Sequence, residues 1–261
     1  MQPADLTLHT VSSASGPAAV FDVGEGLPIV FVHGYPGRPQ DFRWLVPLLP
    51  DVRRIGIAFP GLDATPLSSG PDPSVDGRGR FLSGVLDAMG IDRCVMVGHS
   101  MGGVLAASVA ARQPERVAGL GLVSSIGLSI HNGFRSFRPG LTCALATAPV
   151  ISTLVRPLIT KGFRQAGFPP GVSWSAMQHT LRCAAAIDFA ENQAIYAAVR
   201  APTLVAWTED DRLIESAIST ALAAAVPGGP RLSWPTGGHA SVKSRAMELA
   251  EGLSAWLPTL S

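Results

Sequence analysis

The six residues GHSMGG (98–103) decide how this chain folds. They stand between an apolar run, RCVMV (93–97), and a run of small residues, VLAASVAAR (104–112). Glycine weakens both strands and helices, so glycines gathered around one serine mark a place where the backbone does what other residues cannot. A strand that turns at once into a helix passes through a strained conformation, and small neighbours relieve the crowding. Gly98 and Gly102 stand where those neighbours are needed. Ser100 is then expected at the tip of the turn, with its hydroxyl held out over the sheet edge. It also heads a helix, where free N–H groups and the dipole favour developing negative charge. The pattern G-x-S-x-G alone could be a plain Gly-Ser turn. The strand before it and the helix after it give it chemical meaning.

Outward from this turn, short apolar runs alternate with helical patterns. PIVFVH (28–33), RRIGIAF (53–59), RCVMVGH (93–99) and RVAGLGLVSS (116–125) read as buried strands. DFRWLVPLL (41–49) reads as a short helix that Pro47 interrupts. SVDGRGRFLSGVLDAMG (74–90) reads as a helix stopped by Gly90, and MGGVLAASVAARQ (101–113) as a helix closed by Pro114. The turn-rich PGLDATPLSSGPDPS (60–74) reads as a surface loop. Such alternation implies a parallel sheet covered on both faces. LTLHTV (6–11) and AAVFDV (18–23) are expected to add strands at an edge. From about 126 to 199 the pattern is helical without a strand, and then APTLVAW (201–207) restarts the sheet. LIESAISTALAAAV (213–226), RLSWP (231–235) and SVKSRAMELAEGLSAWL (241–257) follow as helix, strand and helix. The middle block is an insertion of roughly 70 residues, and a connection that long needs structure of its own.

The chain has 261 residues, 47% apolar and 15% charged, enough for a substantial core and against disorder. A net charge of +1 gives no global field for nucleic acid. Arg135, Arg138, Arg156, Lys161, Arg164 and Arg182 give the middle block a mild positive bias, read here as a solvated face. No apolar stretch approaches the ~18 residues of a membrane helix, and no secretory signal is visible at the start. Cys94, Cys143 and Cys183 are sparse and odd in number, which fits a reducing compartment and a cytoplasmic protein.

A serine hydroxyl is a poor nucleophile until a base stands within hydrogen-bond reach and a third group orients that base. Of six histidines, His239 lies in TGGHASV, in the loop between the last strand and the last helix, where it can reach the same sheet edge as Ser100. His99 is expected to point away around the turn. His9, His131 and His179 stand in no motif and read as surface or satisfied side chains. The third group should follow the strand ending at Trp207, where TEDDRLI supplies acids. Asp211 is the first choice, Asp210 the second and Glu209 the third. One of these acids could instead cap the following helix. An oxyanion needs two N–H donors: Met101 directly after the serine, and Tyr35 in HGYPG (33–37) after the strand at 28–33.

With HGYPG, GHSMGG, TEDDRLI and GGHA in this order, the chain resembles the α/β-hydrolase superfamily. The resemblance implies an α/β-hydrolase fold, a mostly parallel eight-stranded sheet with helices on both faces. The core would be 1–125 and 200–261, with 126–199 as a helical cap. It implies Ser100 as nucleophile, His239 as base and Asp211 as orienting acid, with the amides of Tyr35 and Met101 as oxyanion donors. Thr208 stands where the family often has Gly, and Glu215 where Pro is common after the acid. HGYPG also looks like the epoxide hydrolase and haloalkane dehalogenase branches, but those use a carboxylate nucleophile. The expected activity is cleavage of a small carboxylic ester without metal or organic cofactor, and the expected partner is that substrate, with no nucleic acid and no membrane. The oligomeric state is open. The same groups serve lactones, thioesters, perhydrolysis and, as first alternative, carbon–carbon cleavage of ring-fission products. Enzymes of that last kind often carry Asn before the serine, where His99 stands here. A slow-turnover ligand receptor on the same scaffold is the non-enzyme alternative.

Overall fold

The structure is a computed structural model that describes residues 3–62, 72–166, 168 and 170–260. The strands are β1 (His9–Ser13), β2 (Gly16–Val23), β3 (Pro28–Val32), β4 (Arg53–Ile57), β5 (Cys94–His99), β6 (Val117–Val123), β7 (Thr203–Thr208) and β8 (Arg231–Trp234). They form one eight-stranded sheet in the order β1-β2-β4-β3-β5-β6-β7-β8. β1 and β2 pair antiparallel, as do β2 and β4, and every other neighbouring pair is parallel. The expected edge strands are therefore present. The first starts at His9 rather than at residue 6, while Leu6 packs into the core.

Both faces of the sheet are covered, which is why its strands read as unbroken apolar runs. Successive side chains of a strand point to opposite faces. Val30 and Val32 of β3 pack on one side with Met96 of β5, while Ile29 and Phe31 pack on the other with Val95 and Val97.

The helices are α1 (Val75–Ala88), α2 (Met101–Arg112), α3 (Asn132–Phe137), α4 (Pro139–Thr147), α5 (Ile151–Gln165), α6 (Trp174–Ala185), α7 (Phe189–Ala198), α8 (Ser216–Ala225), α9 (Ser241–Ser244) and α10 (Ala246–Trp256). Ser74 caps α1 by accepting the Gly77 N–H at 3.0 Å. α2 is buried along nearly its whole length, against β5 and β6 on one side and α1 and α7 on the others. Its run of small residues answers that enclosure. A Cβ on Gly102 would lie 2.1 Å from the Val32 carbonyl oxygen, so only glycine lets α2 start against β3.

Two expectations change in detail. Residues 41–49 form no α-helix but run through two 3-10 turns, Pro39–Phe42 and Val46–Leu48, because Pro47 in the interior of the expected helix lacks the N–H needed to bond back one turn. The last helix breaks at Arg245, whose backbone (φ −125, ψ 29) separates α9 from α10. Residues 63–71 of the expected surface loop lie outside the described residues.

Among the described residues five helices, α3 to α7, lie between β6 and β7. α4, α5 and α6 enclose a small core of their own, with Ala146, Ile159, Phe163, Met177 and Leu181. α7 returns to the sheet: the Tyr196 hydroxyl donates to the Ile126 carbonyl at 2.5 Å and lies 3.1 Å from Ser125 Oγ, fully buried. No helix among the described residues is long and apolar enough to cross a membrane.

Because Tyr196 joins this helical segment to the end of β6, Tyr196→Phe should remove two buried hydrogen bonds, leaving Ser125 Oγ on the Ile126 carbonyl at 3.1 Å. The expected loss is about 1–3 kcal/mol, read in urea as a lower midpoint with an unchanged slope.

Candidate active site

After β3 the chain passes to β4 on one side and then returns to β5 on the other. That reversal opens a crevice beyond the carboxyl ends of β3 and β5, where ligands bind in open α/β sheets. Ser100 stands there, directly after β5 and before α2, with φ 54 and ψ −124. This is a costly backbone conformation for a residue with a side chain. A Cβ on Gly98 would lie 2.4 Å from the Gly102 carbonyl oxygen, so the turn closes too tightly for anything larger.

The loop after β8 brings His239 to the serine: its Nε2 lies 2.9 Å from Ser100 Oγ. Its Nδ1 lies 2.8 Å from Asp211 Oδ2 in the loop after β7. The other Asp211 oxygen, Oδ1, accepts the N–H groups of Leu213 at 2.8 Å and Ile214 at 3.1 Å. Burial would raise the Asp211 pKa, but the hydrogen bond and charge of His239 and these two N–H groups outweigh it and hold the carboxyl below its usual range. Asp211 is thus an acceptor only, so the His239 proton sits on Nδ1 and Nε2 is free to accept from the serine O–H.

Of the three acids, Asp211 is the one that stands at the imidazole. Asp210 is exposed and turns to the histidine loop, accepting the N–H of Gly238 at 2.8 Å and of Gly237 at 3.2 Å. Thr208 Oγ1 donates to the Gly238 carbonyl at 3.0 Å, and Ser244 Oγ to the Gly237 carbonyl at 2.7 Å. Arg245, where the last helix breaks, donates to the Thr236 carbonyl at 2.8 Å. Glu209 has an exposed side chain, and its backbone N–H joins Trp234 at 2.9 Å.

Of three histidines near the site, His99 departs from expectation, while His131 and His179, read as surface or satisfied, are of the second kind. His99 does not point away: its Nε2 lies 2.8 Å from the His239 carbonyl oxygen, with ring centroids 5.0 Å apart. Since a carbonyl only accepts, His99 donates from Nε2. Burial first and the neighbouring His239 second push its pKa to about 3, so the ring is neutral. His131 is buried in the wall of the cavity at Ser100, its Nδ1 2.8 Å from the Leu213 carbonyl oxygen. His179 is buried against Tyr35, with Nε2 3.4 Å from Cys183 Sγ. Burial is the largest cause that brings each of these two to about 4.

The loop after β3 lies against the serine: a Cβ on Gly34 would meet Ser100 Cβ at 2.9 Å. His33 is fully buried, accepts the Phe59 N–H at Nε2 (3.4 Å) and therefore donates from Nδ1 to the Gly34 carbonyl at 2.8 Å. In a trans peptide C=O and N–H point opposite ways, so pinning the Gly34 carbonyl turns the Tyr35 N–H away from His33. The Met101 N–H belongs to the first turn of α2 and has no acceptor within the helix. One residue that sequence reasoning missed touches the side chains of both Tyr35 and Met101. Arg78 of α1 is buried, with Nη1 2.9 Å from Met101 Sδ and its guanidinium 5.0 Å from the Tyr35 ring centre. A basic residue on the buried face of an amphipathic helix was the available signal.

The cavity at Ser100 and His239 has a volume of about 80 Å³ and a mostly apolar wall that includes Phe137, Phe163 and Leu181. Among the described residues no group of three His, Cys, Asp or Glu side chains could hold a metal.

Sheet order, the serine turn and the aligned histidine and carboxylate together define an α/β fold with the geometry of a hydrolase site. A model of the alpha/beta hydrolase family matches residues 29–251, and the chain belongs to that family. It is 31% identical over 225 residues to a 2-hydroxymuconate semialdehyde hydrolase of Pseudomonas putida, covering 79% of this chain and 78% of the relative. It is 30% identical over 213 residues to RutD of Klebsiella pneumoniae, whose name marks it as a candidate carbamate hydrolase, covering 76% and 79%. The fold matches that of an alpha/beta hydrolase fold protein from Burkholderia ambifaria with a TM-score of 0.80 at 21% identity, over 97% of this chain and 98% of the other.

The buried neutral histidines set the acid limb of stability. In the unfolded chain each takes up a proton near 6.5, whereas in the fold His99 does so at about 3 and His131 and His179 at about 4. The unfolded state binds more protons between those values, so stability is full above the upper one and falls as pH drops through the window. Each ring contributes a slope of up to about 1.4 kcal/mol per pH unit. Urea unfolding at stepped pH measures this, and a flat profile across the window would contradict the burial of these rings.

Proposed function

We propose that the chain is a serine hydrolase that cleaves small carboxylic esters through an acyl-enzyme. The observation that carries this reading is the aligned relay at a helix start, with Ser100 Oγ 2.9 Å from His239 Nε2 and His239 Nδ1 2.8 Å from Asp211. Ser100 attacks the carbonyl carbon while His239 takes its proton at Nε2, and Asp211 stabilises the imidazolium that forms. The amides of Tyr35 and Met101 hold the tetrahedral oxyanion, each donor being worth about 10²–10³ in rate. His239 then protonates the leaving alcohol. Water, deprotonated by the same ring, hydrolyses the acyl-serine and restores the hydroxyl. The segment 126–199 acts as a cap that closes the site on the side of Phe137 and Phe163. The small, mostly apolar cavity suits a short acyl group.

A second reading is favoured by the Pseudomonas relative: carbon–carbon hydrolysis of a ring-fission product, with the same three groups. A panel of p-nitrophenyl esters of increasing acyl length, set against a ring-fission dienoate and a carbamate, separates the readings by kcat/KM. Rapid multiple turnover of any of them removes the receptor alternative.

Ser100→Ala is expected to abolish turnover and labelling by a fluorophosphonate, with the label mapping to the peptide around residue 100. Asp211→Asn should lower kcat by roughly 10⁴, because an amide no longer selects the required tautomer. Asp210→Asn, which meets Thr208 and the glycine loop, not the imidazole ring, should cost far less. Wild-type turnover by the serine variant would end this account.

A further inference from the structure

Charge and exposure are combined unusually in the helical segment. Between Ile126 and Ile187 lie six of the chain's 20 basic residues and none of its 19 acidic ones. On α4 and α5 the side chains of Leu141, Leu145, Ile151, Leu154 and Leu158 are exposed, Leu154 and Leu158 at 75% and 71%. Ile151, Leu154 and Leu158 are spaced three and four apart, so they form one stripe along the outer face of α5. Lys161 continues it one turn further on. The inner face of the same helix puts Ile159 and Phe163 into the small helical core. α5 is therefore apolar on two sides, one filled and one open.

The open side is shared by both helices. Leu145 of α4 and Leu158 of α5 line one cleft together with Lys161. Val150 joins the helices at φ 63 with its side chain 78% exposed, a costly conformation for a β-branched residue. The cleft also shares Phe137 and Leu213 with the cavity at Ser100, so the apolar face continues toward the candidate site. Among the described residues only Arg135 of the basic side chains on α3, α4 and α5 pairs with a carboxylate, that of Glu215; Arg156 lies over the Trp174 ring instead.

We propose that this face docks on the surface of an anionic phospholipid bilayer. α4 and α5 lie in the plane of the interface, their leucines among the acyl chains and Lys161 and Arg164 on the headgroup phosphates. A solvated basic face accounts for the cations but not for a stripe of exposed leucines beside them. Two-fold pairing with a second copy would set the unpaired cations of one against those of the other. A negatively charged, apolar-backed surface satisfies both features at once. Such docking differs from spanning, which no described helix could do. The inference concerns binding and stands whether or not Ser100 cleaves an ester.

Flotation of the full chain with vesicles tests it. Binding is expected to vesicles of phosphatidylcholine mixed with phosphatidylglycerol, weakened by salt, and much weaker to phosphatidylcholine alone. Replacing Lys161 and Arg164 by Gln should lower partitioning roughly 25-fold, about fivefold for each cation near the surface. Leu154→Asp, at an exposed position, should lower it about tenfold or more while leaving the melting temperature unchanged. No flotation with the anionic vesicles, or equal flotation of both variants and the parent, overturns the proposal. A concentration-dependent dimer in light scattering that Leu154→Asp dissolves would instead make a second copy the occupant, and overturns it too.

Discussion

Ser100 holds a backbone conformation that it would not keep alone, and the surrounding packing makes it the stable one. Strain of this kind costs of order 1–3 kcal/mol. Its N–H donates to the Val123 carbonyl at 3.0 Å, and its own carbonyl accepts from Gly103 at 3.0 Å and Ile126 at 3.2 Å. β6 and the start of α2 thus over-determine the turn from both sides. The close approach of Gly102 to Val32 fixes the same turn against β3. Everything else at the candidate site is positioned relative to this point, because α2 cannot shift without clashing with the strand beneath it.

Around that point a ring of neutral or paired groups restrains the moving parts. His99 grips the main chain of His239 and Asp210 grips the glycines before it, so the imidazole is held from its own backbone as well as through Asp211. On the other side Arg78 bridges the side chains of Tyr35 and Met101. These contacts come from α1, β5 and the loops after β7 and β8, which meet only in the fold.

How much of this could be read beforehand follows from the range of the forces involved. Strand and helix types were legible because the periodicity of apolar residues reflects burial on a sheet face, and the serine turn because its glycines answer a local steric demand. Ser100, Asp211 and His239 were legible as loop residues at strand ends, and the structure brings them together. The choice of Asp211 over Asp210 turned on which carboxylate faces the imidazole, a matter of loop rotation that composition does not encode. His99 was expected to point away and does not, and for His131 and His179 the sequence left surface and satisfied positions open, for the same reason: a histidine's burial depends on what packs over it from elsewhere in the chain. The 3-10 turns at 39–48 show propensity giving way to proline, where a helical pattern lacked the donors to continue.

The first helix of the inserted segment has a further consequence. The Leu213 carbonyl accepts from Gly133 N–H at 2.9 Å and faces His131 Nδ1 at 2.8 Å, and Glu215 accepts from Asn132 N–H at 2.8 Å and pairs with Arg135. Leu213 in turn gives its N–H to Asp211. The helical segment is therefore tied at α3 to the same short loop that carries Asp211. A shift of α3 would be felt at Asp211, through Leu213 and the loop between β7 and α8.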